Sequence, residues 1–324
     1  MKRIIGIGNA LVDILTLIPN EELLETLNLP KGSMQLVDFE FANNLSALTS
    51  GLSKSMASGG SAANTIHGLA RLGVETAFIG HVGQDETGEF FQKDMKSAGI
   101  RPLLFTSNSP SGIANALITP DGERTFATFL GAAIELSADH LQASLFEGYD
   151  LLYVEGYLVQ NEALLLKAMQ LAKACGLQVA LDLASYNVVE ANKLLLEKVL
   201  NEYVDIVFAN EEEARALSGL PPLESLDQLA DKCSLAIVKT GAKGSMAKSG
   251  SQKIEVGVIK ANPIDTTGAG DLYAAGFLHA YLNGQSLETA CHTGALLAGK
   301  VIEVIGPKMD DLTWENIRKH ISKI

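Results

Sequence analysis

Short apolar runs alternate with helical patterns along the second half of the chain, and this alternation constrains the fold more than any other feature. Strands are predicted at residues 151–154, 179–183, 206–209 and 235–240, with helices between them, for example at 161–175 and 211–218. Such repeats favour a parallel sheet with right-handed crossovers and helices on both faces. The sequence therefore predicts an α/β fold with a doubly wound, mostly parallel sheet flanked by helices.

Two hairpin patterns interrupt the alternation. Residues 113–129 contain two strand-like runs around Pro120-Asp121-Gly122, and residues 245–258 form a second hairpin. A β insertion over an α/β core often covers a binding site. We therefore expect a small β lid on the core.

The chain shows no repeats and no low-complexity linkers. We predict one domain, 1–324, with lid insertions at about 14–50 and about 103–131. Two helices are expected to close the chain, with a break between them at Gly306-Pro307.

Composition narrows the function classes. The 324 residues carry a formal net charge of −13, with 47% hydrophobic and 19% charged residues. This balance is typical of a globular protein with a large core and argues against broad binding to nucleic acids or anionic membranes. Three cysteines without a CxxC pair indicate neither a disulfide framework nor a zinc site. The first residues resemble a strand rather than a signal peptide, so we expect a cytoplasmic protein, either monomer or homodimer.

The stretch Asp265-Thr266-Thr267-Gly268-Ala269-Gly270-Asp271 precedes a long helical pattern. The first N–H groups of a helix lack internal partners and carry positive partial charge, so this terminus is a candidate phosphate site. Glycine allows an anion to approach the backbone closely. Asp271 then fits a general base for a hydroxyl that attacks the phosphate. The same residues are also consistent with an ordinary helix N-terminus, in which Asp271 only serves the dipole.

A second glycine turn, Ser58-Gly59-Gly60-Ser61, also leads into a helix, with Asn64 in its first turn. Asn9 and Asp13 follow the first predicted strand, at a position where α/β folds place ligands. A dinucleotide site is disfavoured because GIGNAL lacks the third glycine of that motif. Asp13 is also consistent with a turn residue whose side chain lies in solvent.

Two further polar segments follow predicted strands. Asn210-Glu211-Glu212-Glu213 is consistent with a hydrated Mg²⁺ site, although the local sequence favours a capped helix start. The segment 239–245, KTGAKGS, suits a nucleotide phosphate or ribose, or simply a hairpin turn. No GxxxxGK[ST] run is present, so a P-loop is excluded.

Two long motifs resemble the signatures of the ribokinase-like (PfkB) family of carbohydrate and nucleoside kinases. SGGSAANTIHGLARLG with GHVGQDETG is similar to the first signature, and DTTGAGDLYAAGFL to the second. The match extends over nearly the whole chain in the expected order. The segments NALVD, DGERTFATFLGA and Glu155-Gly156-Tyr157, together with Gln35, are most similar to the adenosine kinase branch.

The resemblance implies roles for individual residues. Asp271 would be the catalytic base, and Gly268, Ala269 and Gly270 would form the anion hole. The implied acceptor-binding residues are Asn9, Leu11, Asp13, Gln35, Gly59, Gly60, Asn64, Arg124 and Tyr157. The implied ATP-binding residues are Asn210, Thr240, Gly241, Lys243 and Gly244. Asn210 and Glu213 would hold Mg²⁺ through water, and Asp265 would belong to a monovalent-cation site for K⁺.

These roles imply an ATP- and Mg²⁺-dependent kinase acting on a nucleoside or sugar. The 5′-hydroxyl of adenosine is the expected acceptor. Thr267 departs from the pattern, because some adenosine kinases carry Asn there, and a simple sugar therefore stays open as the acceptor. A non-catalytic nucleoside-binding regulator is the rival from another class, and an intact Asp271 argues against it.

Overall fold

The computed structural model describes residues 2–322 and has the predicted α/β architecture. The strands are β1 (Arg3–Ile7), β2 (Leu11–Leu17), β3 (Met34–Leu36), β4 (Lys54–Gly59), β5 (Glu75–Gly83), β6 (Ile100–Ser107), β7 (Gly112–Ile118), β8 (Arg124–Phe129), β9 (Leu151–Glu155), β10 (Gln178–Asp182), β11 (Ile206–Asn210), β12 (Leu235–Lys239), β13 (Ser245–Ser249) and β14 (Gln252–Val256).

Along the chain, most of the helices connect one strand to the next. They are α1 (Glu22–Thr26), α2 (Phe39–Leu48), α3 (Ser61–Arg71), α4 (Glu86–Ser97), α5 (Glu162–Ala174), α6 (Tyr186–Ala191), α7 (Lys193–Glu202), α8 (Glu211–Ser218), α9 (Pro222–Ala230), α10 (Ala269–Leu282), α11 (Leu287–Val301) and α12 (Asp311–Ile321).

Within residues 2–322, the main sheet has nine strands in the order β14-β13-β12-β11-β10-β9-β1-β5-β6. From β12 to β6 every pairing is parallel, and only the pairings β12–β13 and β13–β14, at one edge, are antiparallel. Such strands are buried on both faces, and β9 is buried at all five residues. Helices α3, α4, α10, α11 and α12 pack on one face, and α5, α7, α8 and α9 on the other.

A second sheet, here called the small sheet, has the order β3-β8-β7-β2-β4. The hairpin of β7 and β8 in this sheet was predicted, but the first of the two insertions that build the sheet is larger than expected. Strand β2 begins at Leu11 and β4 ends at Gly59, beyond the predicted insertion of about 14–50. The second insertion is smaller than about 103–131, since β6 belongs to the main sheet.

Strands β2, β4 and β6 were not predicted from the sequence, and the reason can be given for each. Strand β4 is largely exposed and lacks an apolar alternation. Strand β6 contains Pro102, which an edge strand tolerates. Strand β2 starts only four residues after β1, so both appeared as one strand and a turn.

The chain also closes with three helices, not two. A short turn around Gly284, with φ +76°, separates α10 from α11. The break at Gly306-Pro307 lies between α11 and α12 instead. A glycine with positive φ ends a helix without the strain that a side chain would add there.

Candidate active site

The candidate site lies where the carboxyl ends of the central strands meet the start of α10. A cavity of about 420 Å³ is lined there by charged side chains from four different elements, Asp182, Glu213, Lys239 and Asp271. Ligands of open α/β sheets bind at this edge. Asp271 is therefore inside a pocket, in contrast to a solvent-facing residue of an ordinary helix start.

Asp271 is held by two donors from the glycine turn and α3. Ser61 Oγ donates to Oδ1 at 2.7 Å, and Asn64 Nδ2 donates to Oδ2 at 3.0 Å. Loss of hydration raises the pKa of Asp271 to about 6, although both hydrogen bonds oppose this shift. A carboxylate with a pKa just below neutrality is a suitable proton acceptor at pH 7.

The predicted anion hole forms the N-terminus of α10. Gly268 is the N-cap, with φ +74°, and a Cβ there would lie 2.7 Å from Pro307 Cβ, so only glycine fits. A Cβ on Gly270 would lie 3.1 Å from Lys239 Nζ, which places that ammonium beside the turn. The N–H of Ala269 donates to the Thr266 carbonyl at 3.2 Å, so this amide is partly engaged already.

Asp13 and the glycine turn meet at the small sheet. Asp13 lies inside β2, opposite Ala57 of β4, so the interpretation as a strand-end or turn residue is wrong. A Cβ on Gly59 would overlap the Asp13 carboxylate. Gly60 has φ +95°, and a Cβ there would overlap the Asn9 carbonyl. Glycine is thus required at both positions.

The charge of Asp13 is finely balanced. Burial raises the pKa of Asp13 to about 7, and Lys308 and Arg124 act against that shift while Asp271 adds to it. The side chain is 9% exposed, so water contributes little to its solvation. A buried carboxylate can still accept two hydroxyl hydrogen bonds when it is ionised.

Asn9 contacts a buried glutamate rather than the cavity. Its Nδ2 donates to Glu155 Oε1 at 2.7 Å, and Glu155 Oε2 accepts the Ala62 N–H at 3.1 Å. Burial raises the pKa of Glu155 to about 7. This bridge fixes the first turn of α3 against the end of β1, so Asn9 positions the glycine turn.

Three of the implied acceptor-binding residues, those that would frame a purine if adenosine is the acceptor, lie on different elements. Leu11 of β2 packs with Ala114 of β7 and with Ala133. Gln35 lies on β3, the edge strand of the small sheet. Tyr157 lines the cavity of Asp271.

Arg124 joins the small sheet to the loop before α10. Its Nη2 lies 2.6 Å from Asp265 Oδ2, and its Nη1 donates to Thr267 Oγ1 at 3.2 Å. Asp265 also accepts the Thr267 N–H at 3.0 Å and the Gly306 N–H at 2.7 Å. A monovalent cation at Asp265 would have to compete with a guanidinium, which weakens the prediction of a K⁺ site here.

Asn210 and Glu213 form a helix cap and also line the cavity. The Asn210 side chain accepts the Glu213 N–H at 2.8 Å, and Glu213 Oε2 accepts the Asn210 N–H at 2.7 Å. This is a capping box. Burial raises the pKa of Glu213 to about 7, and Asp182 adds to the shift. Asn210 and Glu213 therefore cap the start of α8 and line the cavity at the same time.

The predicted ATP loop separates two cavities. Gly241 and Gly244 line the cavity of Asp271. Thr240 and Lys243 line a neighbouring cavity of about 420 Å³, whose wall includes Pro222. Gly244, with φ +105°, closes the loop as Thr240 N–H donates to its carbonyl at 2.8 Å.

Sequence reasoning gave no individual site role to several charged or polar contributors, namely Ser61, Glu155, Asp182, Lys239 and Lys308. Lys239 Nζ lies 2.9 Å from Asp182 Oδ2, an ion pair between the ends of two strands that are not neighbours in the sheet. Charged residues at the ends of two predicted strands, Asp182 and Lys239, were the one available signal for this pair. Lys308 follows the Gly306-Pro307 break and carried no signal.

Residues 38–313 match the family model described as pfkB family carbohydrate kinase. The chain belongs to this family. Solved structures agree over nearly its full length. It is similar to a probable sugar kinase from Rhizobium etli CFN 42, with 32% identity, a TM-score of 0.89 and 98% of each chain covered.

Two further relatives extend the comparison to nucleosides. The adenosine kinase from Sinorhizobium meliloti has 34% identity and a TM-score of 0.88, with 98% of this chain and 99% of the other covered. A nucleoside kinase from Methanocaldococcus jannaschii is 30% identical over 274 residues, which is 82% of this chain and 85% of the relative. This pfkB protein is therefore a sugar or nucleoside kinase, as its motifs predicted.

No helix within residues 2–322 is long and apolar enough to cross a membrane.

Proposed function

We propose that this pfkB kinase transfers the γ-phosphoryl group of ATP to the primary 5′-hydroxyl of a ribose-containing substrate, and that adenosine is the acceptor. The observation that carries the proposal is the position of Asp271. It lies beside a glycine-rich helix start and is hydrogen-bonded to Ser61 and Asn64 of the second glycine motif. A base next to an anion site is what transfer to a hydroxyl requires.

The transfer step uses residues of this chain in a simple order. The Asp271 carboxylate accepts the hydroxyl proton as the acceptor oxygen bonds to the γ-phosphorus, and the bond to the β-phosphate oxygen breaks to release ADP. Backbone N–H groups at the start of α10 receive the negative charge on the transferred group. Asp13 holds ring hydroxyls of the acceptor, and the small sheet closes as a lid that excludes water.

The residues present fit a hydrated Mg²⁺ rather than a fully protein-bound ion. Within residues 2–322 there is no group of three or more His, Cys, Asp or Glu that could hold a metal. Mg²⁺ commonly keeps several waters and binds few protein carboxylates. Glu213, Asn210 and Asp182 would orient those waters, and the bound ion would offset phosphate charge.

Two observations support a nucleoside over a simple sugar. The adenosine kinase from Sinorhizobium meliloti shares 34% identity over nearly the whole chain. The nucleoside kinase from Methanocaldococcus jannaschii shares 30% over most of it. The second candidate is a sugar kinase, which the 32% identity to the probable sugar kinase from Rhizobium etli favours.

A coupled ADP-release assay over a panel of nucleosides and sugars tests the proposal. We expect the highest kcat/KM with adenosine, and ADP release by an Asp271→Asn variant that is slower by a factor of about 10² to 10⁴ under the same conditions. A higher kcat/KM with ribose, fructose or a keto-sugar acid would replace the nucleoside assignment. If the protein binds ATP but phosphorylates none of the nucleosides and sugars in the panel, the result would favour a binding protein over a kinase.

A further inference from the structure

Lys239 is the one cationic side chain among the described residues that line the cavity of Asp271. It ends β12 at the carboxyl edge of the main sheet, and its side chain is 15% exposed. Three other lining residues are acids, namely Asp182, Glu213 and Asp271. Any phosphate group that enters this cavity therefore meets one cation and several acids.

The ammonium of Lys239 lies against the start of α10. A Cβ on Gly270 would be 3.1 Å from Lys239 Nζ and 3.9 Å from its Cε. Gly270 is the second residue of α10, and within residues 2–322 the N–H groups of Gly270 and Asp271 donate to no protein acceptor. Because the first N–H groups of a helix carry positive partial charge, two positive elements lie side by side in the cavity wall. This arrangement suits an anion.

Asp182 is the partner of the ammonium in this structure. Its Oδ2 lies 2.9 Å from Lys239 Nζ. Asp182 ends β10 and Lys239 ends β12, so the contact bridges the end of β11, which lies between them in the sheet. An ammonium has three N–H donors, and within residues 2–322 this is the one hydrogen bond that the Lys239 ammonium forms. Two donors therefore remain for a ligand in the cavity.

Lys239 is positively charged although it is buried. Burial acts to lower its pKa, but the acids that line the cavity, Asp182, Glu213 and Asp271, outweigh burial and raise the pKa. A triphosphate is also an anion, so these acids alone would repel it. A lysine ammonium is a common point-charge partner of phosphate oxygens. Lys239 is therefore the side chain of this cavity that attracts a phosphate chain.

We propose that Lys239 is a catalytic residue of the transfer step, whose ammonium donates hydrogen bonds to the γ-phosphoryl oxygens of ATP before and during transfer. The proposal rests on the reaction and the position of Asp271 given under the proposed function. In that step the acceptor oxygen bonds to the γ-phosphorus, the bond to the β-phosphate oxygen breaks, and Asp271 takes the hydroxyl proton. Lys239 keeps its protons and supplies fixed positive charge to the transferred group.

A purely structural role for the ion pair makes a different prediction. In that case Lys239 and Asp182 would only join the ends of β10 and β12. Loss of Lys239 would then act through the buried and unpaired Asp182 carboxylate, and removal of both charges would cancel the effect. A phosphate contact belongs to Lys239 alone, so its loss persists when residue 182 is neutral.

Steady-state kinetics in a double-mutant cycle separate these cases. Lys239→Met, Asp182→Asn, the double variant and the wild type would be compared with ATP, Mg²⁺ and adenosine. We expect Lys239→Met to lower kcat by about 10² to 10³ in the wild-type background, as for loss of a donor to developing negative charge. In the Asp182→Asn background we expect a loss of at least about tenfold. A smaller loss in that background overturns the proposal.

Binding of ATP gives a readout that does not depend on turnover or on Mg²⁺. In calorimetric titrations with ATP in EDTA, the double variant should bind at least about tenfold more weakly than Asp182→Asn, because a charged hydrogen bond is lost. Equal affinities of these two variants overturn a direct contact with phosphate. If Lys239→Met alone does not fold, this comparison and the kinetics in the Asp182→Asn background still decide, since both proteins lack the unpaired carboxylate.

A matched control removes a lysine that pairs with a single aspartate elsewhere on the main sheet. Lys248 of β13 lies 2.8 Å from Asp227, outside the cavity of Asp271. Lys248→Met should leave both kcat and the affinity for ATP unchanged. A loss in Lys248→Met as large as in Lys239→Met would show that any lysine of this sheet edge acts through stability, and would overturn the proposal.

The experiments distinguish the possible failures. If Asp271→Asn keeps its kcat, the proposed base fails, whereas the titrations with ATP still test Lys239. If a sugar replaces adenosine as the acceptor, the kinetics are repeated with that sugar. If Asp271→Asn loses its activity as expected but the double variant matches Asp182→Asn in kcat and in affinity for ATP, only the present inference fails.

Discussion

Arg124 Nη2 of the small sheet lies 2.6 Å from Asp265 Oδ2 of the loop that leads into α10. Both side chains are almost fully buried, at 7% and 4% exposure. The approach is not along an N–H direction, since Nη2 lacks a regular hydrogen bond. The pair therefore acts mainly as an electrostatic contact between the small sheet and the loop before α10, which holds the proposed anion hole.

Loss of one partner from this pair should be costly. Arg124→Met leaves the buried Asp265 carboxylate uncompensated, and removing one member of a buried pair costs about 3–5 kcal/mol. Urea unfolding should show a decrease of that size. The double variant with Asp265→Asn should recover much of it, and Arg101→Met, at an exposed arginine, is the matched control. A decrease below about 1 kcal/mol for Arg124→Met would mean that solvent reaches the pair.

Replacement of the proposed base should abolish turnover without unfolding the protein. Asp271→Asn keeps the size of the side chain but cannot accept the hydroxyl proton. General-base catalysis contributes about 10² to 10⁴ in rate, so kcat should fall by that factor. Steady-state kinetics and circular dichroism would be compared with Asp139→Asn, a substitution outside the site. Retention of more than about a tenth of kcat would exclude Asp271 as the base.

The pH dependence of kcat should report the ionisation of Asp271. Its pKa is raised to about 6, so the base is protonated and inactive below that pH, and kcat should fall as the pH drops through about 6. Ser61→Ala removes a hydrogen bond that lowers this pKa. The acidic limb should then move to higher pH, by about one unit if the bond contributes about 1.4 kcal/mol.

The control for this profile is Ser251→Ala, at an exposed turn, which should leave the limb in place. Burial raises the pKa of Glu213 to about 7, and Asp271 adds to that shift, so the acidic limb can contain both carboxyl groups. The direction of the shift in Ser61→Ala is therefore the decisive observation. A shift to lower pH would contradict the role of Ser61 as a donor to the carboxylate.

The parts of the site that sequence predicted are those with local signals. The start of α10 combines glycine, an acid and a long apolar helix within a short stretch, and each feature has a conformational reason. The Gly59-Gly60 turn was also recognisable in the sequence, because the backbone there has no room for side chains and therefore requires two consecutive glycines. The hairpin of β7 and β8 follows from alternation and its turn residues.

The remaining parts depend on contacts between distant segments. Ser61 and Asp271 are 210 positions apart, and Arg124 and Thr267 are 143 apart. No local pattern predicts which strand ends meet, so the Asp182–Lys239 pair and the position of Lys308 emerged only from the fold. Strand β2, which contains Asp13, was missed because it begins only four residues after β1 ends. Nothing in that short sequence indicates that the chain passes from one sheet to the other.

Closure of the small sheet should be visible by hydrogen exchange. We expect adenosine to slow exchange in β7 and β8, because a closed lid buries their backbone amides. Peptides from α5, on the far face of the main sheet, should exchange at the same rate with and without adenosine. Equal exchange of the hairpin in both states, at saturating adenosine, would contradict a lid that closes on the acceptor.

Substrate choice should depend on apolar and aromatic surface rather than on Asp13, because the contacts that we propose between Asp13 and ring hydroxyls would be the same for sugars and nucleosides. Tyr157 is the candidate for this surface. It lines the cavity of Asp271, and burial raises the pKa of its phenol, which Ser185 contacts. Stacking of a base on an aromatic ring contributes about 1–3 kcal/mol. Since about 1.4 kcal/mol is a factor of ten, adenosine should exceed free ribose in kcat/KM by at least tenfold.

Two variants of Tyr157 test this explanation directly. Tyr157→Ala should reduce kcat/KM for adenosine by about tenfold or more and leave that for ribose nearly unchanged, which narrows the preference. Tyr157→Phe keeps the ring and loses only the hydroxyl contact with Ser185, so it should retain the preference. Tyr157 shares its cavity with Asp182 and Glu213, which we propose to lie on the phosphate side. If Tyr157→Ala lowers kcat/KM for adenosine and for ribose by the same factor, the ring acts in phosphate transfer and does not contact the purine. The nucleoside assignment then loses this support, and the kinase assignment is unaffected.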